Sequence, residues 1–154
     1  MKQKLYEDLL LQLRGIIDGE TNVTSVLANA SALMRSVMGE RFFWVGFYLV
    51  EGDQLLLGPF QGTIACYRIK RGKGVCGTAW EQCHTQVVPD VEQFPGHIAC
   101  SSLSRSEIVV PMTDRTGAVR AVLDIDSKEL NQFDDTDRLY LEQATQLIAA
   151  QLWG

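Results

Sequence analysis

Apolar residues recur at helical spacing near both ends of the chain. Intervals of three or four residues predict one amphipathic helix over residues 2–17 and a second over about residues 23–37. Asn22 or Thr24 is a suitable N-cap for the second helix, and Asp134 is one for a final helix. The residues predicted to face the core from these helices are Leu5, Leu9, Leu13, Ile16, Ile17, Val23, Val26, Leu27, Ala30, Leu33, Met34, Val37, Leu139, Ala144, Leu147, Ile148 and Leu152.

Between these helices the sequence changes to short segments typical of strands. Residues 41–50 are rich in aromatic and β-branched side chains, and a Glu-Gly-Asp turn joins them to residues 54–60, which predicts a hairpin. Further strands are expected near residues 67–69, 86–88, 107–112 and 118–125, with a short helix at 75–82. Residues 90–106 show no periodicity and are predicted to form a long loop, and loops of this length are usually functional or disordered.

This order of elements predicts the α+β class. Strands that follow one another in hairpins pair antiparallel, and helices segregated along the sequence pack against such a sheet. A chain of 154 residues can bury one substantial core, so we expect a single domain over residues 1–154.

Charge and hydropathy argue against several classes of function. The formal net charge is −5, whereas nonspecific binding to nucleic acid or to anionic membranes requires a basic surface. The basic residues between Arg68 and Lys73 are best explained as a solvated turn, and the Gly-Lys-Gly sequence within them lacks the spacing of a P-loop.

The longest apolar run, residues 42–50, contains Gly46 and falls far short of the roughly 18 residues of a membrane span. Acidic residues near the N-terminus argue against a secretion signal, so we expect a cytoplasmic protein with reduced thiols.

Three cysteines lie in loop-like sequence, each within four residues after a glycine. Cys66, Cys76 and Cys100 are therefore candidates for thiol chemistry. Cys100 is the best candidate nucleophile, because it lies in the long loop near His97 and a reactive thiolate needs a lowered pKa or a nearby proton acceptor. A small buried apolar residue is an equally good interpretation of Cys100. Cys83 is best explained as a packing or surface thiol.

The spacing of the cysteines leaves their pairing open. Either Cys66 or Cys76 could approach Cys100 if the long loop folds over the turn between them, and a disulfide requires Cα atoms within roughly 7 Å. The chain has no CxxC pair and only two histidines, which argues against a structural zinc site.

Three carboxylates form a second candidate site. Asp124 and Asp126 are two residues apart in otherwise apolar strand sequence, so their side chains lie on one face of the strand. Glu107 begins the preceding strand, and a hairpin that closes near Thr116 would bring it to the same end of the sheet. Carboxylates clustered in a desolvated pocket raise one another's pKa, and a protonated carboxyl can act as a general acid. A pair of solvated aspartates at a strand end is the alternative, and it is favoured for these residues taken alone.

Trp44, Phe47 and Tyr48 are the aromatic residues of the first predicted strand. Aromatic side chains in such a strand most often belong to the core. The alternative is an aromatic wall for an apolar or sulfur-bearing ligand.

In combination, these segments resemble one protein family, the free methionine-(R)-sulfoxide reductases, which are stand-alone GAF-domain enzymes. The similarity runs from the first helix to the last. The segments that carry it are residues 44–49, 58–66, 72–77, 95–100, 104–109 and 122–127.

The resemblance implies a GAF-like fold and a reaction. The expected fold has a central antiparallel sheet, with the N- and C-terminal helices on one face and a long active-site loop on the other. The expected reaction is the reduction of free L-methionine (R)-S-oxide to methionine through a sulfenic acid and an intramolecular disulfide. Cys100 matches the catalytic cysteine of the family, Cys66 the principal resolving cysteine and Cys76 a second resolving cysteine.

The resemblance also implies binding residues and partners. Glu107, Asp124 and Asp126 match the acids that hold the sulfoxide oxygen, and Trp44 and Tyr48 match aromatic residues near the methyl group of the substrate. A homodimer, recycling by thioredoxin and the absence of a bound cofactor or metal are expected. Positions that depart from the usual family pattern are Trp80, Glu92, Ser101 and Ala121.

Two other interpretations compete with an enzyme. One is a non-enzymatic GAF module that senses a small ligand or redox state, and the other is a purely structural dimer module. The acid cluster argues against the first, and neither the cysteines nor the acids are explained by the second.

Overall fold

The computed structural model describes residues 1–98 and 100–154; Ala99, within the 95–100 motif, lies outside the described residues. The helices are α1 (Lys2–Ile17), α2 (Val23–Met38), α3 (Gly74–Gln82) and α4 (Asp135–Trp153). The strands are β1 (Trp44–Glu51), β2 (Gln54–Gln61), β3 (Arg68–Lys70), β4 (Gln86–Val88), β5 (Ser106–Thr113) and β6 (Val119–Ser127). Single 3₁₀ turns cover Gly39–Arg41 and Val91–Gln93. No helix in the described part of the chain has the length and apolarity that crossing a membrane requires.

The strands form one sheet in the order β3-β2-β1-β6-β5-β4, and every neighbouring pair is antiparallel. The hairpins β1–β2 and β5–β6 are joined because β1 also pairs with β6, which places Trp44 opposite Asp126. This architecture confirms the predicted α+β class. It also places β1, β5 and β6, which carry most of the candidate residues, at the centre of the sheet.

The two faces of the sheet have different coverings. Helices α2 and α4 pack on one face and α1 packs against both of them, enclosing the larger core. Helix α3 packs on the opposite face over a smaller core. Because side chains alternate along a strand, Phe47 lies in the larger core, whereas Trp44 and Tyr48 lie in the smaller one. The aromatic residues of β1 therefore divide between the core and the face that carries the site.

The starts of α2 and α4 are defined by capping side chains. Asn22 accepts a hydrogen bond from a backbone N–H of the first turn of α2 at 2.9 Å, which makes it the N-cap rather than Thr24. Asp134 and Asp137 form a reciprocal capping box at α4. Tyr6 donates its hydroxyl to the buried Asp137, so α1 is tied to the start of α4.

Two predictions about buried helix positions are wrong. Leu139 is 50% exposed, because the buried stripe of α4 runs through Leu141, Ala144 and Ile148 and does not include it. Ile16 is 44% exposed, since the next residue, Ile17, occupies the buried position in the last turn of α1.

Two predicted boundaries also differ from the structure. The first strand begins at Trp44 rather than at residue 41, because the chain leaves α2 through a 3₁₀ turn. The long loop ends at Arg105, since Ser106 already pairs with Ser127 in the β5–β6 ladder, and this loop contains one 3₁₀ turn.

Candidate active site

A cavity of about 50 Å³ lies on the sheet face that carries α3. Its walls come from β1, β3, β5 and β6, from the start of α3, and from the β2–β3 and β4–β5 connections. The lining residues among the sequence candidates are Trp44, Tyr48, Cys76, Cys100, Glu107, Asp124 and Asp126. The one remaining candidate, Cys66, is bonded to Cys100. The structure thus brings all eight predicted residues to one place.

The three acids meet because of the register of one hairpin. Asp124 and Asp126 project from the same face of β6, and Glu107 lies opposite Asp126 in the β5–β6 ladder. Glu107 and Asp124 are each only 6% exposed. Within residues 1–98 and 100–154, no lysine or arginine forms an ion pair with them, and His97 is the one basic side chain within 4 Å of these acids. Asp124 is buried and Asp126 is half-buried, so the alternative of two solvated aspartates at a strand end is wrong.

Burial raises the pKa of each of these acids. For Glu107 the largest cause is burial, followed by the charges of Asp124 and Asp126. For Asp126 it is burial followed by the charge of Asp124. For Asp124 burial raises the pKa, and interaction with Glu107 partly opposes the rise. The cluster consequently keeps protons at a pH where exposed carboxyls are ionised.

One oxygen of the cluster, Asp124 Oδ1, is buried and has no hydrogen-bond partner among the described residues. An unpaired buried polar atom costs about 1–3 kcal/mol. A proton, a water molecule or a polar ligand atom at this point would remove that cost. Since Asp124 lines the cavity, the site has an unused hydrogen-bonding position for a polar ligand atom.

A disulfide joins Cys66 to Cys100, with the two Cα atoms 5.5 Å apart. It links the β2–β3 connection to the β4–β5 connection at the edge of the cavity. Cys76 is a free, buried thiol near the start of α3. Burial, followed by the charges of Asp124 and Glu107, raises the pKa of Cys76 well above its usual value, so this thiol is a poor nucleophile near neutral pH.

Cys83 is exposed and does not line this cavity, as expected for a surface thiol.

His97 lies with the acids: its Nε2 is 3.9 Å from Glu107 Oε1. Burial lowers the pKa of His97, which favours a neutral imidazole. His97 and Cys100 both line the cavity, and the contact that the structure gives for His97 is with Glu107.

Trp44 and Tyr48 form an apolar wall that also supports the cysteine loop. Trp44 stacks on Phe60 with ring centroids 5.0 Å apart and donates its Nε1–H to the carbonyl of Thr63 at 2.9 Å. Tyr48 donates its hydroxyl to the carbonyl of Cys66 at 2.9 Å. These two hydrogen bonds hold the β2–β3 connection, and with it Cys66, against the sheet.

The start of α3 approaches the long loop so closely that glycine is required there. Gly74 has φ +63°, and a Cβ at this position would lie 3.1 Å from Ile98 Cδ1. This approach allows Lys73 and Gly74 to line the cavity. The prediction of a solvated turn did not include this position in the cavity lining.

Ser101 and Ser104 also line the cavity from the long loop, and neither was predicted as a site residue. Because this loop has no periodicity, the direction of each side chain could not be inferred.

Among residues 1–98 and 100–154, Cys76, Glu107 and Asp124 could hold a metal ion, since one donor atom from each lies within 4.8 Å of the other two. The set mixes one soft sulfur with two hard oxygens and does not select a particular metal. Burial favours protons on all three groups, and an ion would have to displace them.

Comparison with known proteins places the chain in a family. The GAF domain family matches residues 20–152. GAF domain-containing protein A of Dictyostelium discoideum is 54% identical over 148 residues, which cover 96% of this chain and 92% of that protein. The free methionine-R-sulfoxide reductase of Escherichia coli (strain K12) is 45% identical over 151 residues, which cover 98% of this chain and 88% of that protein. This chain belongs to the free methionine-R-sulfoxide reductase family.

The fold of this chain also matches that of a solved structure from this family. The free methionine-R-sulfoxide reductase from Neisseria meningitidis, solved in complex with its substrate, is 48% identical and superposes with a TM-score of 0.94. The match covers 98% of this chain and 90% of that one. The predicted GAF-like fold and the predicted family are both confirmed.

Proposed function

We propose that the protein reduces free L-methionine (R)-S-oxide to methionine, with Cys100 as the nucleophile and the acid cluster as the source of the proton. The observation that carries this proposal is the meeting of three acids with raised pKa values, two of them buried and Asp126 half-buried, beside Cys100 in one small cavity. Family membership supports the same oxidoreductase activity.

The chemical step starts from the reduced protein. The Cys100 thiolate attacks the sulfur of the sulfoxide while a carboxyl of the cluster protonates its oxygen. The sulfur–oxygen bond of the substrate breaks, methionine leaves, and Cys100 becomes a sulfenic acid. The sulfoxide is reduced by two electrons, and Cys100 is oxidised by the same two.

The acid cluster is suited to this step because burial raises the pKa of its carboxyls, which favours the protonated form that can donate. Proton donation by a positioned group typically contributes about 10²–10⁴-fold to a rate. With a proton on its unpaired Oδ1, Asp124 could donate a hydrogen bond to the sulfoxide oxygen. Both properties follow from the burial of the cluster without a cationic partner.

The apolar wall of Trp44 and Tyr48 favours a substrate that ends in a sulfur atom and a methyl group. Trp44 and Tyr48 stack with ring centroids 6.1 Å apart and face the cavity. Contacts between sulfur and an aromatic ring are worth about 0.3–1.5 kcal/mol. We assign the S-methyl end of the substrate to these two rings.

Cys66 is the proposed resolving residue. Its thiol condenses with the Cys100 sulfenic acid, releasing water and forming the disulfide seen in the structure. Cys76 lines the same cavity but keeps its proton because burial raises its pKa. We therefore assign Cys76 a slower, secondary role. The same proposal includes thioredoxin as the reductant, a homodimer and the absence of a bound cofactor, which rest on the family resemblance. It also includes a cytoplasmic location, which the sequence predicts.

Counting free thiols tests this function directly. The reduced chain has four cysteines. A slight excess of free methionine sulfoxide should lower the count from four thiols to two and leave Cys76 and Cys83 reduced. Cys83→Ser is the matched control, which should pass from three thiols to one. A count that stays at four would contradict the proposal and favour a ligand-sensing GAF module.

A further inference from the structure

Three potential metal ligands meet in the cavity, each on a different element of the fold. Cys76 lies on α3, Glu107 on β5 and Asp124 on β6. All three side chains are buried, and one donor atom from each lies within 4.8 Å of the other two. Ligands carried by helices and strands are positioned more precisely than ligands carried by loops. The scaffold of the domain therefore brings these donors together.

The spacing of the three donors is close to that around a bound cation. Bonds of about 2.0–2.3 Å to Zn²⁺ place two tetrahedral ligands roughly 3.5 Å apart. No pair of these donor atoms exceeds that separation by more than about 1.3 Å, a difference that small side-chain rotations can close. The cavity of about 50 Å³ is larger than the roughly 10–15 Å³ that one water molecule needs, so an ion with a water ligand fits.

The charges around these donors favour a cation. Among the ion pairs of residues 1–98 and 100–154, none joins Glu107, Asp124 or Asp126 to a lysine or arginine. Lys73 lines the cavity, but it is exposed and is not paired with these acids. Buried carboxylates in proteins are normally paired with a cation or coordinate a metal. The cluster thus lacks the positive partner that such groups usually have.

A separate observation points to a ligand at this place. Asp124 Oδ1 is buried, and no described residue forms a hydrogen bond with it. Asp124 also lines the cavity, so this oxygen is accessible to a molecule or ion that enters. A carboxylate oxygen with free lone pairs is a ready ligand for a cation.

His97 adds a nitrogen to the donor set. Its Nε2 is 3.9 Å from Glu107 Oε1, and its side chain lines the same cavity. Thiolate, imidazole and carboxylate are all ligands of Zn²⁺, whereas Mg²⁺ and Ca²⁺ take oxygen ligands. With this nitrogen, the set favours a cation of the zinc class.

We propose that the protein binds one Zn²⁺ ion reversibly in this cavity, at a zinc site made of Cys76, Glu107, Asp124 and His97. The ligands give up their protons when the ion binds. The ion is not a cofactor of the proposed reaction. It occupies acids that would protonate the sulfoxide oxygen, so it competes with the substrate and inhibits the enzyme. The zinc site does not depend on the proposed function, whereas the inhibition rests on it.

The disulfide form of the protein isolates the zinc site from the other thiols. Cys66 and Cys100 are bonded to each other in this form and supply no thiolate. The free cysteines are Cys76, which is buried in the cavity, and Cys83, which is exposed and lies outside the cavity lining. Cys83→Ser therefore leaves Cys76 as the one thiol able to bind a metal.

The test measures metal binding to the disulfide form and needs no enzymatic activity. In the Cys83→Ser background, one equivalent of Co²⁺ should give the near-ultraviolet charge-transfer absorption of a thiolate bound to cobalt. Zn²⁺ should displace the Co²⁺ and abolish this absorption, because a site with thiolate and imidazole ligands suits zinc. A large excess of Mg²⁺ should leave the absorption unchanged.

Further substitutions in the same background identify the ligands. Cys76→Ser should remove the absorption and weaken Co²⁺ binding at least about 100-fold. Glu107→Gln should keep the absorption and weaken binding about 10–100-fold, since even supporting groups around a metal contribute that much to its affinity. Glu51→Gln is the matched control, because Glu51 is exposed and does not line the cavity. It should stay within about twofold.

Competition with free methionine sulfoxide tests the inhibition. It should displace Co²⁺ from the Cys83→Ser protein at a several-fold lower concentration than methionine does. Both amino acids chelate free Co²⁺ through their amino and carboxylate groups, but only the sulfoxide carries an oxygen for the acid cluster. Equal displacement by the two, with Cys76-dependent binding intact, would contradict the proposed substrate site and the inhibition and would leave the zinc site standing.

Several results would overturn the zinc site itself. The charge-transfer absorption could be absent at saturating Co²⁺, or it could persist after Cys76→Ser. Equal binding by the Glu107→Gln and Glu51→Gln proteins would show that the buried acid is not a ligand, and displacement by Mg²⁺ would show that the site does not select the zinc class. Failure of the proposed reductase activity would be seen separately, as absence of turnover in metal-free buffer.

Discussion

Glu107→Gln should make the fold more stable near neutral pH and the site nearly inactive. Glutamine matches the shape of the buried acid but cannot ionise. Burial and the charges of Asp124 and Asp126 raise the pKa of Glu107 in the folded protein. Below the unfolded pKa of about 4.3 both states hold the proton, and the substitution should have little effect. As pH rises above about 4.3 the wild type loses stability, because the unfolded chain ionises while folded Glu107 keeps its proton, and the loss is complete once the pH exceeds the folded pKa.

The size of this stability gain follows from proton linkage. Each unit by which the pKa of Glu107 is raised costs the wild type about 1.4 kcal/mol once the pH exceeds that pKa. Removing one charge also eases the ionisation of the two aspartates, which acts in the same direction. The variant should therefore gain at least about 1 kcal/mol at pH 8 and almost nothing near pH 3.5, which is below the unfolded pKa.

The activity should change in the opposite direction. Glutamine cannot donate a proton to the sulfoxide oxygen, so kcat/KM should fall by about 10²–10⁴, equivalent to roughly 3–5 kcal/mol of transition-state stabilisation. Urea titrations at the two pH values and single-turnover rates of the reduced proteins measure the two effects. A variant less stable than the wild type at pH 8, or one that keeps most of its activity, would refute this account of the acid cluster.

Three further predictions concern other parts of the molecule. Cys100→Ser should abolish reduction of free methionine sulfoxide with any reductant, and substantial residual turnover would contradict the role of this thiol. Cys83→Ser should change kcat/KM and stability little, since the thiol is exposed and does not line the cavity; a large loss would show that its surface assignment is wrong. Tyr6→Phe removes a donor to the buried Asp137 and should lower the free energy of unfolding by about 2 kcal/mol in urea titrations while leaving activity intact. An unchanged unfolding midpoint would show that this hydrogen bond contributes nothing net.

Features that depend on regular secondary structure could be predicted from the sequence. The two-residue spacing of Asp124 and Asp126 places them on one face of any strand, and a closed hairpin brings Glu107 alongside. Helix α1 has the predicted limits, because its apolar spacing and the following turn residues agree. These inferences succeed because strand alternation and helical periodicity are local rules.

Features that depend on the course of loops could not be predicted. Whether Cys66 or Cys76 reaches Cys100 depends on how two connections fold across the sheet, and the structure bonds Cys66. The contact between His97 and Glu107 likewise depends on the path of the long loop, which has no periodic pattern in the sequence. The exposure of Leu139 has a different cause, since two apolar stripes could be drawn on α4 and only packing against the sheet selects one.

The most direct test of the central claim is the oxidation of NADPH coupled through thioredoxin reductase and thioredoxin, with the separated R and S epimers of free methionine sulfoxide as substrates. Turnover of the R epimer alone is the result that the account predicts. Turnover of neither epimer, by protein whose thiols are confirmed to be reduced, would contradict it and would identify the chain as a ligand-binding GAF module.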